Sequence, residues 1–199
     1  MKPLYLASQS PRRLQLLEQL GLRPMLMTPE PHEDAEALEV VLPGEAPSTY
    51  VQRVTRLKLE AALRRMKRLG WPAGVVLCAD TTVALGRHIL GKPDSPAHAL
   101  TLLQGLQGHT HRVLTCVAVG TLTRQQQCLQ VSRVRMAPVP GSRLRAYVDT
   151  GEPMGKAGAY AIQGQAAGFI EHIQGSHSGI MGLPLFETAA LLRDFGFKV

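Results

Sequence analysis

Short apolar runs alternate along this chain with longer stretches in which apolar residues recur every three or four positions. Leu4-Tyr5-Leu6-Ala7 is a run of the first kind and predicts a buried strand. Ser10 and Pro11 then read as cap and first residue of a helix, with Leu14, Leu17 and Leu20 at helical spacing and a stop at Gly21. Residues 24–28 predict a short strand and residues 29–47 an acidic, proline-bearing loop. Ser48 is expected to cap a long helix to about residue 69, with Val51, Val54, Leu57, Ala61, Ala62 and Met66 on its apolar stripe.

The continuous run Val75-Val76-Leu77-Cys78-Ala79 predicts a central strand covered on both faces and ending at Asp80. A hairpin through Gly86-Arg87-His88 follows, then a helix from Ser95-Pro96. Residues 112–120 and 129–139 predict two strands paired antiparallel across a glutamine-rich turn at 125–127. A short helix over 142–150, a glycine-rich segment over 152–168, a strand over 169–173 and a last helix bearing Leu185, Ala189, Leu192 and Phe195 complete the chain. The pattern is that of an α/β protein with a mixed, partly antiparallel twisted sheet flanked by helices, and no linker divides it, so residues 1–199 read as a single domain.

With 199 residues, 45% of them hydrophobic, the chain can build a sizeable core. Its formal net charge of +7 favours anionic partners: nucleotides, nucleic acid or an anionic membrane surface. Aromatic residues make up only 5%, few for stacking single-stranded bases. The three cysteines, Cys78, Cys116 and Cys128, lack metal-site spacing and fit reduced thiols in a cytoplasmic protein. No apolar run suits a bilayer, so no membrane partner is expected, and Lys2 is followed by no signal-peptide core.

Candidate chemistry gathers at few places. Ser8, Ser10, Arg12 and Arg13 lie at a strand-to-helix turn, where unpaired N–H groups, hydroxyls and guanidinium forks suit phosphate oxygens; a capping serine with two solvated arginines is the alternative. Lys58 lies at the edge of an apolar stripe, where an inward-leaning ammonium needs an anionic partner. Asp80, at a central strand's end, suits a general base or metal ligand, or a simple strand-end cap. Lys92 stands in the Gly91-Lys92-Pro93 turn. In the acidic loop, Glu30, Glu33, Asp34, Glu36, Glu39 and Glu45 offer oxygen ligands for a divalent cation or a solvated surface. Arg53, Arg56, Arg64, Arg65, Lys67 and Arg68 make the long helix basic, for nucleic acid or for solvent. Gln163 carries donor and acceptor on one amide and can read a base edge. His109 and His111 have no third ligand near and read as ordinary polar residues.

Taken in order, Leu6-Ala7-Ser8-Gln9-Ser10-Pro11-Arg12-Arg13, Ala79-Asp80-Thr81, Gly91-Lys92-Pro93, Gly151-Glu152-Pro153 with Lys156-Ala157-Gly158-Ala159-Tyr160 and Ile162-Gln163-Gly164, and Gly182-Leu183-Pro184-Leu185 resemble the Maf nucleotide pyrophosphatases over nearly the whole chain. Arg12, Thr81 and Tyr160-Ala161-Ile162-Gln163-Gly164 resemble the branch that hydrolyses dTTP and UTP. Cys78 departs from a common glycine, and His177-Ser178 from a tyrosine-bearing pair.

The resemblance implies two lobes around a cleft, similar to the inosine triphosphate pyrophosphatases. It implies hydrolysis of a nucleoside triphosphate to monophosphate and pyrophosphate, with Asp80, Lys58 and Lys92 catalytic. Ser8, Ser10, Arg12 and Arg13 would bind phosphates, and Thr81 and Gln163 would select the base. Asp80 and Glu33 would hold a divalent cation, Mg²⁺ or Mn²⁺. A cytoplasmic homodimer without a nucleic-acid partner is the family expectation. A family member acting on 7-methyl-GTP or another purine nucleotide, and a non-enzymatic nucleic-acid-binding protein, are the alternatives.

Overall fold

The computed structural model describes residues 2–30, 33 and 36–199, with the Glu36 side chain excepted. Among them, strands β1 (Leu4–Leu6), β2 (Met25–Leu26), β3 (Val75–Leu85), β4 (His88–Leu90), β5 (Thr110–Gly120), β6 (Gln125–Met136) and β7 (Ile170–Gln174) alternate with helices α1 (Pro11–Gln19), α2 (Pro47–Arg68), α3 (Pro96–Leu106), α4 (Gly141–Asp149), α5 (His177–Met181) and α6 (Leu185–Asp194). The strands form one sheet in the order β2-β1-β3-β5-β6-β7, with β4 on β3. β1 runs parallel to β2 and β3, whereas β3–β4 and β6–β7 are antiparallel. The sheet is therefore mixed and partly antiparallel, as the sequence pattern implies.

The chain divides into two compact units. The first comprises Met1–Asp80, Thr115–Gln130 and Gly182–Val199; the second comprises Thr81–Leu114 and Val131–Met181. In the first unit, Tyr5, Val76 and Cys78 of the sheet pack against Leu59, Ala62, Leu63 and Met66 of α2. Burying a side chain such as Leu59 stabilises by about 1.5–3 kcal/mol. In the second unit, Leu103 and Leu106 of α3, Leu144 and Tyr147 of α4, and Val134 and Met136 of β6 surround Tyr160, Ile162 and Phe169.

Several local expectations are corrected. α2 starts one residue before Ser48: Ala46 is its N-cap and Pro47, whose fixed φ suits a helix start, is its first residue. The buried stripe of α2 includes Leu59 and Leu63, while Leu57 and Ala61 are only half-buried. β3 does not end at Asp80 but continues as one eleven-residue strand to Leu85. The glutamines at 125–127 lie in β6, whose alternating burial is that of a strand covered on one face. The turn before them is instead closed by Thr121, which donates its N–H to the Arg124 carbonyl at 2.7 Å. Residues 177–181 form α5, which no apolar period announced. Asp34 lies outside the described residues.

Candidate active site

β1 is fully buried, and the Ala7 N–H still donates to the Leu77 carbonyl at 2.8 Å, so the chain leaves the sheet at Ser8. The Ser8 Oγ accepts from the Ser10 N–H and from Arg13 Nη1, both at 3.2 Å. Ser10 has the extended backbone of an N-cap, but its side chain makes no capping hydrogen bond, and Pro11 opens the helix. The orphan N–H groups of α1 therefore sit beside two serines. The two arginines differ. Arg13 Nε donates to the Gly182 carbonyl at 2.8 Å, which ties the corner to the residue before Leu183. Burial pulls its guanidinium below the ordinary arginine value, with Asp80 acting in the opposite direction. Arg12 is half-buried.

α2 presents Lys58 to β3. Its Nζ donates to Asp80 Oδ1 at 2.6 Å and to Glu39 Oε1 at 2.7 Å. Burial pulls the ammonium down, but the two carboxylates outweigh it and hold Lys58 above the ordinary lysine value. Asp80 is 8% exposed. The register pairs Leu6 with Leu77, so β1 has ended before β3 reaches Asp80. That local end of the parallel pair, not the end of β3, is what places Asp80 at a site.

Glu39 is held there from α2. The Tyr50 hydroxyl donates to its carbonyl at 2.9 Å. One turn further on, Arg53 forks onto both Glu45 oxygens at 2.7 Å and donates to the Val40 carbonyl at 2.8 Å. Glu33, expected as the loop ligand, is elsewhere: it accepts from Arg65 and, at 2.7 Å, from Arg68 Nη2. The Arg65 hydrogen bond holds its carboxyl below the ordinary glutamate value, against the opposing effect of burial. With Arg68 also paired to Glu30, Arg53, Arg65 and Arg68 are committed to acidic-loop carboxylates rather than forming an open basic stripe.

Cys78, two residues before Asp80, donates its thiol to the Thr55 carbonyl at 3.3 Å, and burial pushes it up to about 12. It is a small core residue, not a nucleophile.

The remaining sequence-derived residues belong to the second unit. Thr81 is half-buried on β3, and Lys92 is exposed just after β4. The Gly158 N–H donates to the Gly91 carbonyl at 3.1 Å, tying the Lys92 turn to the glycine-rich segment. Gly158 has φ +68°, and a Cβ there would lie 2.9 Å from Val83 Cγ1, so only glycine fits. Gln163 is exposed on the turn that Gly164 N–H closes onto the Ala161 carbonyl at 3.0 Å.

The family model described as Maf-like protein matches residues 3–195. The chain belongs to the Maf family. It is 61% identical over 196 residues to the dTTP/UTP pyrophosphatase of Albidiferax ferrireducens, with 98% of each chain covered. It is 60% identical over 195 residues to that of a Polaromonas species, covering 98% of this chain and 96% of the relative. With that of Cupriavidus pinatubonensis it shares 59% identity over 191 residues, 96% of each. Among solved structures, the Staphylococcus aureus Ham1 protein superimposes with a TM-score of 0.56 at 14% identity, covering 98% of this chain and 100% of that one, a likeness of fold.

In this Maf chain the spacing alone offers Glu39 only as one of six loop carboxylates and Arg53 only as one of six basic helix residues, and it does not single out Tyr50. A weak signal for them existed: Tyr50, Val54 and Lys58 recur every four residues on one face of α2. Which of the loop carboxylates would meet that face was not readable from spacing. No helix among the described residues is long and apolar enough to cross a membrane.

Proposed function

We propose that the protein is a nucleoside triphosphate pyrophosphatase that hydrolyses dTTP and UTP to the monophosphate and pyrophosphate. The observation that carries this reading is Lys58 held between Asp80 and Glu39 beside the Ser8–Arg13 corner, in a chain about three-fifths identical over its whole length to enzymes named for those substrates. The corner, with Ser8, Ser10 and Arg12, would take phosphate oxygens, while Arg13 steadies it through Ser8 and Gly182. Asp80 would accept the proton of the attacking water as its oxygen bonds to the α-phosphorus. The α–β bridge then breaks, and pyrophosphate leaves with the bridging oxygen. Lys58 and Lys92 would neutralise charge on the phosphates. Thr81 and Gln163 would discriminate the pyrimidine.

A divalent cation fits this donor set. Asp80 and Glu39 supply hard carboxylate oxygens that already share one cationic group. Among the described residues no three His, Cys, Asp or Glu side chains converge. One or two carboxylates completed by substrate phosphates is how Mg²⁺ is usually held. Asp80 and Glu39 would hold Mg²⁺ or Mn²⁺, which when bound supplies charge neutralisation at the phosphates and a more acidic water. A cytoplasmic location and a homodimer are part of the same reading, drawn from the family alone.

The test is a nucleotide panel with Mg²⁺, read as pyrophosphate release. UTP and dTTP should lead; leadership by GTP, ITP or 7-methyl-GTP would move the protein to the family's purine branch. Nucleic-acid binding without catalysis has less support, because Arg53, Arg65 and Arg68 are paired to glutamates.

A further inference from the structure

Gln163 sits between two anchors, one buried and one half-buried, neither of which belongs to the set proposed to handle phosphates. Before it, the Tyr160 hydroxyl lies 2.7 Å from His111 Nε2, and the two rings meet edge to face with centroids 5.4 Å apart. His111 is buried, and its Nδ1 has no hydrogen-bond partner among the described residues, so this contact is kept at a cost. After Gln163, the Glu152 carboxylate accepts from the Gln165 N–H at 3.1 Å through Oε2 and from the Tyr147 hydroxyl at 3.0 Å through Oε1. The fit around that carboxylate is tight. A Cβ on Gly164 would clash with Oε1 and lie 2.8 Å from Oε2, so the turn closes over Glu152 only because residue 164 lacks a side chain. Lys156 donates to the Glu152 carbonyl and fixes the backbone from which the carboxylate projects. Tyr147 is itself fixed edge-on against Phe169.

We infer that Glu152 is a positioning residue for base selection: through Gln165 N–H and the space left by Gly164 it sets where Gln163 presents its amide, with the His111–Tyr160 pair as the second anchor. Such a role presupposes that Gln163 reads the base edge. An amide presented in one place matches one donor–acceptor pattern, whereas a mobile one accepts several. The base choice of this enzyme then depends on a half-buried carboxylate that acts through its neighbour.

The test is steady-state kinetics of the full chain with UTP, CTP and GTP in Mg²⁺, for the wild type, Glu152→Gln, Tyr147→Phe, Gln163→Ala and the Glu152→Gln/Gln163→Ala double variant. Glu152→Gln places an amide where the Gln165 N–H needs an acceptor or where the Tyr147 hydroxyl does. The ratio of kcat/KM for UTP over CTP should fall about tenfold or more, with KM for UTP raised several-fold and kcat changed by less than about threefold. Tyr147→Phe keeps the Gln165 bond and should give a smaller fall in the same direction. Gln163→Ala should add little in the Glu152→Gln background, because both changes remove the same discrimination. Equal losses for all nucleotides, an unchanged UTP/CTP ratio, or fully additive losses would overturn the assignment. If Glu152→Gln does not fold, an unchanged ratio in Tyr147→Phe overturns it equally. A wild type that releases pyrophosphate from none of the nucleotides fails at the earlier step, and base selection falls with it.

Discussion

Lys58 Nζ lies 2.6 Å from Asp80 Oδ1 and 2.7 Å from Glu39 Oε1, so one ammonium separates two carboxylates. Removing it leaves two like charges facing each other with no cation between them to offset their repulsion. Lys58→Met is expected to lower kcat/KM for UTP at pH 7 by about 10²-fold or more. Asp80→Asn should keep the wild-type circular dichroism and lose on the order of 10²–10⁴ in turnover. Full activity in Asp80→Asn would take the base away from Asp80.

Glu39 and Glu33 separate by assay. Glu39→Gln is expected to cut pyrophosphate release with little change in thermal midpoint. Glu33→Gln should lower the midpoint at pH 7, because the Arg65 and Arg68 guanidiniums lose their carboxylate. Since Arg65 holds the Glu33 carboxyl below its ordinary value of 4.5, that stability is fully present above pH 4.5 and is lost as pH falls through the lower folded value. The gap between wild type and Glu33→Gln should therefore close on acidification. A gap that persists to low pH would show that the ion pairs are not its source.

His111 gives a second pH signature. Burial pushes its pKa from the ordinary 6.5 down to about 4. The unfolded chain then binds a proton between those values that the folded chain refuses, so stability falls as pH drops from 6.5 to about 4, by about 3 kcal/mol in full. His111→Asn should be less stable than the wild type at pH 7, from loss of the Tyr160 contact. It should close on the wild type across this window, as read from urea midpoints. Parallel curves would mean that His111 does not titrate in this way.

Chelation tests the cation. Dialysis against EDTA should abolish pyrophosphate release, and either Mg²⁺ or Mn²⁺ should restore it. In Glu39→Gln, restoration should need more metal, since one of the two carboxylate donors is gone. Full activity in EDTA would leave Asp80 and Glu39 without a cation to hold.

The sequence-level reading reached the architecture because the apolar code is local: Leu4–Leu6 and Val75–Leu77 are short buried runs, and α1 and α3 carry proline at their starts. It placed Lys58 correctly at the edge of a stripe, because four-residue spacing fixes a helix face. It misplaced what depends on partners far along the chain. Asp80 reads as a strand end because polar residues follow an apolar run, yet β3 continues through them as one paired strand. Glu33 and Glu39 are equivalent as letters in an acidic loop. Only Tyr50 and Arg53, reaching back from α2, decide which meets Lys58. His111 reads as an ordinary polar residue, because the Tyr160 hydroxyl that meets its buried ring lies 49 residues further along the chain.

The first unit is assembled from three separate stretches, the last beginning at Gly182. Ser8 to Arg13, in the first of these stretches, contain the guanidinium that donates to the Gly182 carbonyl, 169 residues further along the chain. This corner is thus begun early and cannot be closed until Gly182 has been made. A nascent polypeptide halted anywhere before residue 182 lacks α6 and the acceptor for Arg13, so the first unit cannot mature piece by piece while its earlier stretches are being made.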